Sequence, residues 1–240
     1  MADVKAKPAL RATTTAAVRQ FVADVQAALT QVADAQRAPA MRAYMRDQFE
    51  FLGVMATPRR EALRPLFRVK RSSDELLAYA NALWRLPERE YHYAAVDLLR
   101  RQWKAFTLAD IEAMLELAQK NSWWDTVDAL SDVIGDIVRA ARVDDSNAQR
   151  IMDAALKHEN LWVRRIAMLH QLGWRDEVDA KRLFAYALNL AHEEDFFTRK
   201  AIGWALRDYA HHKPHAVREF LAQAGDKLSP LTRREANKHL

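Results

Sequence analysis

The sequence predicts an all-α protein, and three observations support this prediction. Apolar residues recur three and four positions apart along almost the whole chain, which is the spacing of one face of an α-helix. No stretch shows the sustained alternation of a half-buried β-strand, and the 240 residues include only 5 glycines. Short connections between the helical segments, roughly two to six residues, favour antiparallel helix pairs.

Capping residues and prolines predict where individual helices begin. Ser, Asn and Asp accept bonds from the free N–H groups of a first turn, and proline fits the first helical position. The predicted starts are Trp123 after Ser122, Leu161 after Asn160, Phe196 after Asp195, and the two prolines Pro214 and Pro230.

Three segments in the second half of the chain repeat one another, and each contains a basic pair at the same place. Their first basic residues, Arg164, Arg199 and Arg233, recur at steps of 35 and 34 residues. A period in the thirties with two helices per unit is typical of an α-solenoid of HEAT-like repeats. We therefore predict one HEAT-like domain over residues 13–240, with a disordered leader at residues 1–12 and a basic concave face.

The charge balance indicates the class of partner. Lys and Arg number 37 against 32 Asp and Glu, which gives a net charge of +5 and a pI near 9.5. If this excess gathers on one face, we expect nucleic acid to bind there. The predicted DNA-backbone contacts are the basic residues Arg164, Arg165, Arg199, Lys200, Arg207, Arg233 and Arg234. The alternative is that some of them only pair with Asp or Glu on the helix surface.

Several other classes are excluded or disfavoured. The absence of cysteine excludes disulfide frameworks, thiolate catalysis and iron–sulfur clusters. We expect no transmembrane helix and no secretory signal, because no suitable apolar run is present. The spacing of His211, His212 and His215 is loose and no carboxylate flanks them, which favours surface histidines over a metal site. We expect a monomeric, cofactor-free protein of the cytoplasm.

The stretch Ser122–Asp128 combines two tryptophans with two carboxylates. A helix that begins here places Trp124 and Asp128 four residues apart, so their side chains share one face. Asp125 falls in the first turn, where an acid meets free N–H groups. A structural interpretation stays open, with the tryptophans as core anchors and the acids as a cap and a dipole partner.

A carboxylate within a basic surface favours a ligand that develops positive charge, because the acid would otherwise only repel phosphate. Cleavage of an N-glycosidic bond fits this requirement, since the sugar passes through an oxocarbenium-like transition state. Asp128 would stabilise that charge and orient the attacking water. A tryptophan face would contact a cationic base through an attraction of about 0.5–2 kcal/mol, and a nearby arginine would hold the flanking phosphate.

Five strings of the sequence carry a resemblance to a known family. They are Met41–Met45, Leu86–Glu90, Ser122–Asp128, Ala201–Trp204 and Leu231–Ala236. In these strings the chain resembles the AlkD family of bacterial DNA alkylation repair glycosylases, which are built from HEAT-like repeats. The similarity runs from about Met41 to Leu240. It implies removal of cationic N3- and N7-alkylpurines, such as 3-methyladenine and 7-methylguanine, from double-stranded DNA.

The resemblance also implies the roles of individual residues. Trp124, Asp128 and Arg165 match the family's catalytic site, and Trp204 and Tyr44 match residues that are expected to touch DNA. No lysine matches a Schiff-base role, so a monofunctional reaction that leaves an abasic site is implied. Two alternatives stay open: a catalytically silent relative that binds branched or damaged DNA, and a protein–protein scaffold.

Overall fold

The structure, a computed structural model, describes residues 15–240. The predicted leader at residues 1–12 lies outside the described residues. Within them the chain forms thirteen α-helices and five short 3-10 turns, with no β-strand. The prediction of an all-α fold is confirmed. None of the described helices is long and apolar enough to cross a membrane.

The chain divides into two compact units, one up to Ala105 and the other Phe106–Leu240. The first unit contains α1 (Thr15–Thr30), α2 (Ala38–Tyr44), α3 (Ala56–Phe67), α4 (Ser73–Leu83) and α5 (Arg89–Arg101). The buried Glu90 of α5 accepts three backbone N–H bonds of 2.9–3.0 Å from residues 52–54. This carboxylate therefore ties the segment before α3 to α5.

The second unit contains eight helices. They are α6 (Ile111–Ala118), α7 (Trp124–Ala141), α8 (Arg150–Ala155), α9 (Leu161–Leu169), α10 (Ala180–Asn189), α11 (Phe196–Ala210), α12 (Pro214–Ala224) and α13 (Pro230–Ala236). Helices α6, α8 and α10 each pack against the helix that follows, and α7, α9, α11 and α13 contact one another in that order. This is the helix-pair arrangement that the sequence repeats predict. The extent of the repeat domain, residues 13–240, stays a prediction.

Capping residues explain where several of these helices begin. Asn160 and Asp195 each accept a backbone N–H bond from the turn that follows. The prediction for Ser122 is wrong, because α7 begins at Trp124 and the Ser122 hydroxyl donates to the carbonyl of Ala118 at 2.7 Å. Ser122 thereby caps the end of α6, whose last carbonyls lack partners within the helix. The other predicted starts are confirmed: Leu161, Phe196, Pro214 and Pro230.

Two glycines allow helices of the second unit to meet closely. A Cβ atom at Gly135 of α7 would lie 2.1 Å from the carbonyl oxygen of His170, which follows α9. A Cβ atom at Gly203 of α11 would lie 2.5 Å from the Cβ of Glu235 and 2.9 Å from the carbonyl oxygen of Thr232. Any side chain at either glycine would overlap its neighbour, so the backbones themselves set these two helix–helix distances.

Candidate active site

Asp128 of α7 and Arg165 of α9 form a bidentate ion pair. Nε of Arg165 donates to Oδ1 of Asp128 at 2.7 Å, and Nη2 donates to Oδ2 at 2.9 Å. Nη1 donates to the carbonyl of Phe197 at the start of α11. The structure thus brings two of the predicted site residues together from positions 37 residues apart, and it fixes them to a third helix.

Both side chains of this pair are largely covered. The exposed fraction is 13% for the Asp128 side chain and 5% for the Arg165 side chain. Burial raises the pKa of the Asp128 carboxyl above its usual range, and the hydrogen bonds and charge of Arg165 offset part of that rise. Two parallel N–H···O bonds are the geometry that a guanidinium forms with an ionised carboxylate.

An aromatic cluster occupies the starts of the same three helices. The rings of Trp123, Trp162 and Phe197 have centroids 5.0–6.0 Å apart. Phe196, which is 50% exposed, packs edge-on against Phe197 at 5.4 Å. Trp162 of α9 is therefore part of this cluster. Trp124 is partly exposed on α7, about one turn before Asp128.

The indole N–H of Trp123 is buried and has no hydrogen-bond partner. A buried donor left in this state costs about 1–3 kcal/mol. Among the described residues it is the one buried side-chain N or O atom of which this is true. The start of α7 therefore contains a buried indole N–H group that makes no hydrogen bond.

Arg164, a predicted DNA contact, is engaged within the chain. Its Nε and Nη2 donate to the Glu193 carboxylate at 2.6 and 2.9 Å, and its Nη1 donates to the carbonyls of His158 and Glu159 at 2.8 and 2.7 Å. Nε of Arg199 donates to the Glu193 carbonyl at 2.9 Å. Arg164 therefore holds the turn before α9 against the segment before α11, and its contact with DNA stays a prediction.

Three basic residues meet at one buried acid of α13. The carboxylate of Glu235 lies 2.9 Å from Nζ of Lys200, 3.2 Å from Nη1 of Arg207 and 2.8 Å from Nζ of Lys238. Burial alone would raise the pKa of this carboxyl. The hydrogen bonds and charges of Lys238 and Lys200 outweigh it and lower the pKa from 4.5 to about 2. Lys200 and Arg207 thus have a structural partner, as the alternative for the basic residues allowed.

The remaining residues that are predicted to contact DNA are exposed or partly exposed. Arg233 pairs with the exposed Asp226 at 3.4 Å, and Arg234 is exposed with no ion pair among the described residues. Trp204 is partly exposed on α11. Tyr44, at the end of α2 in the first unit, is 71% exposed. Their contact with DNA stays a prediction.

The sequence reasoning missed the two acids that engage the basic residues. Glu193 and Glu235 look like solvated helix surface in the sequence. One signal was present for Glu193, since it lies 29 residues from Arg164, a separation close to one repeat. Acids about one repeat away from a basic residue are thus candidates for its partner.

No metal site is evident in residues 15–240, where no three or more His, Asp and Glu side chains are grouped to hold an ion. Of the three clustered histidines, His211 packs against the ring of His239, with centroids 4.7 Å apart. His211 therefore has a ring contact with His239, and the absence of a metal site at the three histidines stays a prediction.

These observations define a class of protein: an all-α array of helix pairs in which a covered acid–guanidinium pair joins three helices beside an aromatic cluster. The family model described as DNA alkylation repair enzyme matches residues 25–240. The chain belongs to this family, and the predicted resemblance to the AlkD family is confirmed.

A solved structure shows the same fold. It is described as a predicted DNA alkylation repair enzyme from Enterococcus faecalis and is 31% identical in sequence, with a TM-score of 0.80. The similarity covers 87% of this chain and 96% of that chain. No curated protein matches the chain. The HEAT-like helix-pair architecture is thereby confirmed, and the family places the chain in DNA alkylation repair.

Proposed function

We propose that the chain is a monofunctional DNA glycosylase that releases cationic N3- and N7-alkylpurines, such as 3-methyladenine and 7-methylguanine, from double-stranded DNA. The observation that carries this proposal is the Asp128–Arg165 pair beside Trp124 and the aromatic cluster. Membership of a DNA alkylation repair family supports the substrate class. The proposed place of action is the cytoplasm, where a bacterial chromosome lies.

Asp128 supplies the negative charge that the reaction needs. An ionised carboxylate has about four lone-pair positions, and Arg165 occupies two of them. The other positions remain for the sugar and for the attacking water. As the glycosidic bond breaks, its electron pair leaves with the purine, which becomes neutral, and positive charge develops at the sugar. The oxygen of water then bonds to C1′, and one proton is released to solvent or to the carboxylate.

The alkylated base requires little acid catalysis, because it already carries a positive charge as it leaves. Trp124 offers a partly exposed indole on the same helix as Asp128. A cationic purine over such a face gains about 0.5–2 kcal/mol. Neutral purines lack this attraction to the indole, and they are poorer leaving groups. Both effects favour release of the cationic lesion.

Arg165 acts as a positioning residue in this proposal. Of its five N–H groups, two bind Asp128 and one binds the carbonyl of Phe197. With a side chain only 5% exposed, it is placed to orient the carboxylate more than to hold a phosphate. The sequence analysis predicts a phosphate contact for Arg165, and that contact stays a prediction.

A second candidate is a catalytically silent protein that binds damaged DNA. The observation that favours it is the state of Asp128, which is 13% exposed and already paired with a cation. In that case the pair would only fasten α7 to α9. The two candidates differ in one measurable respect, the release of a free purine.

The test is base release from methylated duplex DNA in the presence of a chelator. We expect the Asp128→Asn variant to lose about 100- to 1000-fold in the rate of 7-methylguanine release, which is the usual loss when one charge-stabilising group is removed. Asp132→Asn, about one turn further along α7, is the matched control and should stay within about threefold of the unaltered protein.

Binding to undamaged duplex and thermal unfolding are measured on the same samples, to show that both variants are folded. Release by Asp128→Asn at the rate of its control would mean that another group stabilises the sugar. No release by the unaltered protein from any alkylated duplex would support the silent DNA-binding candidate instead.

A further inference from the structure

A groove in the first unit is lined by charged residues that the proposed site does not use. It lies between α3 and α5 and has a volume of about 510 Å³. The charged residues of its lining are Arg60, Glu61, Arg64, Asp97, Arg100 and Arg101. Four cations against two acids make the groove positive.

One of the two acids is already engaged by arginine. Asp97 accepts a hydrogen bond from Nε of the buried Arg59 at 3.0 Å and lies 3.4 Å from Nε of Arg60. Its charge therefore offsets cations at the base of the groove. Arg64 and Arg101 are exposed, and no ion pair within residues 15–240 joins either of them to an acid.

This arrangement differs from a solvated basic helix face. Like charges repel when they converge on one concavity. Solubility alone does not require the arginines to lie together in this way. Arg60 and Arg64 lie four residues apart on α3, so their guanidinium groups are on one face. The groove thus presents cations in a row from α3 and more from the end of α5.

We propose that this groove, here called the α3–α5 arginine groove, binds the phosphates of the DNA backbone. Arginine presents its N–H groups as a planar fork that matches phosphate oxygens. One turn of α3 spans about 5.4 Å, so Arg60 and Arg64 present two guanidinium groups one turn apart on the same side of the groove. The inference rests on the proposed function only for the identity of the anion.

The test neutralises Arg64 and Arg101, the two exposed arginines of the groove that have no ion pair among residues 15–240, without touching the Asp97 pair. In Arg64→Gln/Arg101→Gln we expect affinity for an undamaged duplex to fall roughly ten- to sixtyfold at about 0.1 M salt. The slope of log affinity against log salt should become shallower by about 1.8, because each lost phosphate contact removes about 0.9. Lysine at both positions keeps the charge and should keep most of the slope.

The matched control removes two other exposed arginines of the first unit, in Arg19→Gln/Arg85→Gln. It lowers the net charge by the same amount and should leave affinity and slope close to those of the unaltered protein. Equal weakening in both double variants would overturn the proposal, since only general charge would then matter. An unchanged slope in Arg64→Gln/Arg101→Gln would also overturn it.

Inorganic phosphate and a short duplex are compared as probes, to identify the source of the phosphate. Weaker duplex binding by Arg64→Gln/Arg101→Gln supports the backbone as the ligand. Binding of inorganic phosphate that these substitutions abolish, with duplex affinity unaltered, would overturn it. Release of 7-methylguanine is assayed in parallel. If the unaltered protein releases no base and the salt slope still changes, the proposed glycosylase fails while the groove remains.

Discussion

Two helix junctions of the second unit are built alike and differ in the state of their acid. At the α7–α9 junction, Gly135 lets the backbones meet, and Asp128 pairs with one guanidinium. At the α11–α13 junction, Gly203 does the same, and Glu235 meets three cations. The pKa of Asp128 is raised, whereas the pKa of Glu235 is lowered to about 2.

Under the proposed function, the difference separates an acid that serves chemistry from one that serves stability. Burial opposes ionisation at both junctions; the hydrogen bonds and charges of Lys238 and Lys200 outweigh it at Glu235, whereas those of Arg165 do not at Asp128. Glu235 meets three cations, which take three of the about four lone-pair positions of its carboxylate. Asp128 is held by one partner, keeps unused lone pairs, and retains part of the cost of burying its charge. A substrate that develops positive charge recovers that cost.

The largest effect that this comparison predicts is a loss in the free energy of unfolding when the α11–α13 junction is altered. Glu235→Gln leaves cations without their acid, and we expect a loss of about 2–4 kcal/mol in the free energy of unfolding at pH 7. The contribution of Glu235 is fully present above its ordinary pKa of 4.5 and is lost as the pH falls to about 2. Urea unfolding at pH 7 and at pH 2.5 measures both values.

The control for this prediction is Glu219→Gln on the exposed side of α12, which should change the free energy of unfolding by less than about 0.5 kcal/mol. A difference between Glu235→Gln and the unaltered protein that is as large at pH 2.5 as at pH 7 would show that charge is not the cause.

The next effect concerns the two glycines. Alanine is favoured over glycine inside a helix by about 1 kcal/mol, but a Cβ at Gly135 would lie 2.1 Å from a backbone oxygen. We expect Gly135→Ala to lose a net of about 2 kcal/mol of stability, because overlap with backbone belongs at the upper end of the usual overpacking cost of about 1–3 kcal/mol and the preference for alanine offsets about 1 kcal/mol of it. Gly203→Ala should lose less, because its nearest obstacles, the Cβ of Glu235 at 2.5 Å and the carbonyl oxygen of Thr232 at 2.9 Å, lie farther away. Chemical unfolding of both variants under one condition ranks them, and a stabilised Gly135→Ala would refute the close contact.

The smallest effect is a shift in pH dependence. If base release needs ionised Asp128, its rate falls as the pH drops through the pKa of that carboxyl. Arg165→Gln removes the cation that lowers this pKa, so the acid limb of the pH–rate profile should move to higher pH. Arg139→Gln on α7, which only breaks a pair with the exposed Glu177, should leave the limb in place. An acid limb that stays fixed in Arg165→Gln would assign the limb to another group.

Much of this fold follows from local rules that the sequence displays. Asn160 and Asp195 cap helices as expected, because each side chain accepts a backbone N–H bond from the first turn that follows it. Ser122 fails because a hydroxyl also donates, and the carbonyl of Ala118 lies within its reach. The sequence pattern cannot decide whether Ser122 caps the start of α7 or the end of α6, since both possible partners lie within four residues of it.

The site was predictable as a set of residues and not as a set of contacts. Trp124, Asp128 and Arg165 follow from the resemblance. The bidentate pair of Asp128 with Arg165 depends on how α7 and α9 stack, which no local spacing reports. For the same reason the basic residues of the repeats looked free, although Arg164 and Lys200 meet Glu193 and Glu235 across helices.

Gly135 has a consequence for any attempt to alter the Asp128–Arg165 pair. It lies about two turns of α7 beyond Asp128, and there the polypeptide of one helix rests directly on that of the next. Rotamer changes cannot absorb an error at such a point of contact. The separation of the Asp128 carboxylate from the Arg165 guanidinium therefore depends on a residue that belongs to neither side chain, and any redesign of this pair should begin at Gly135.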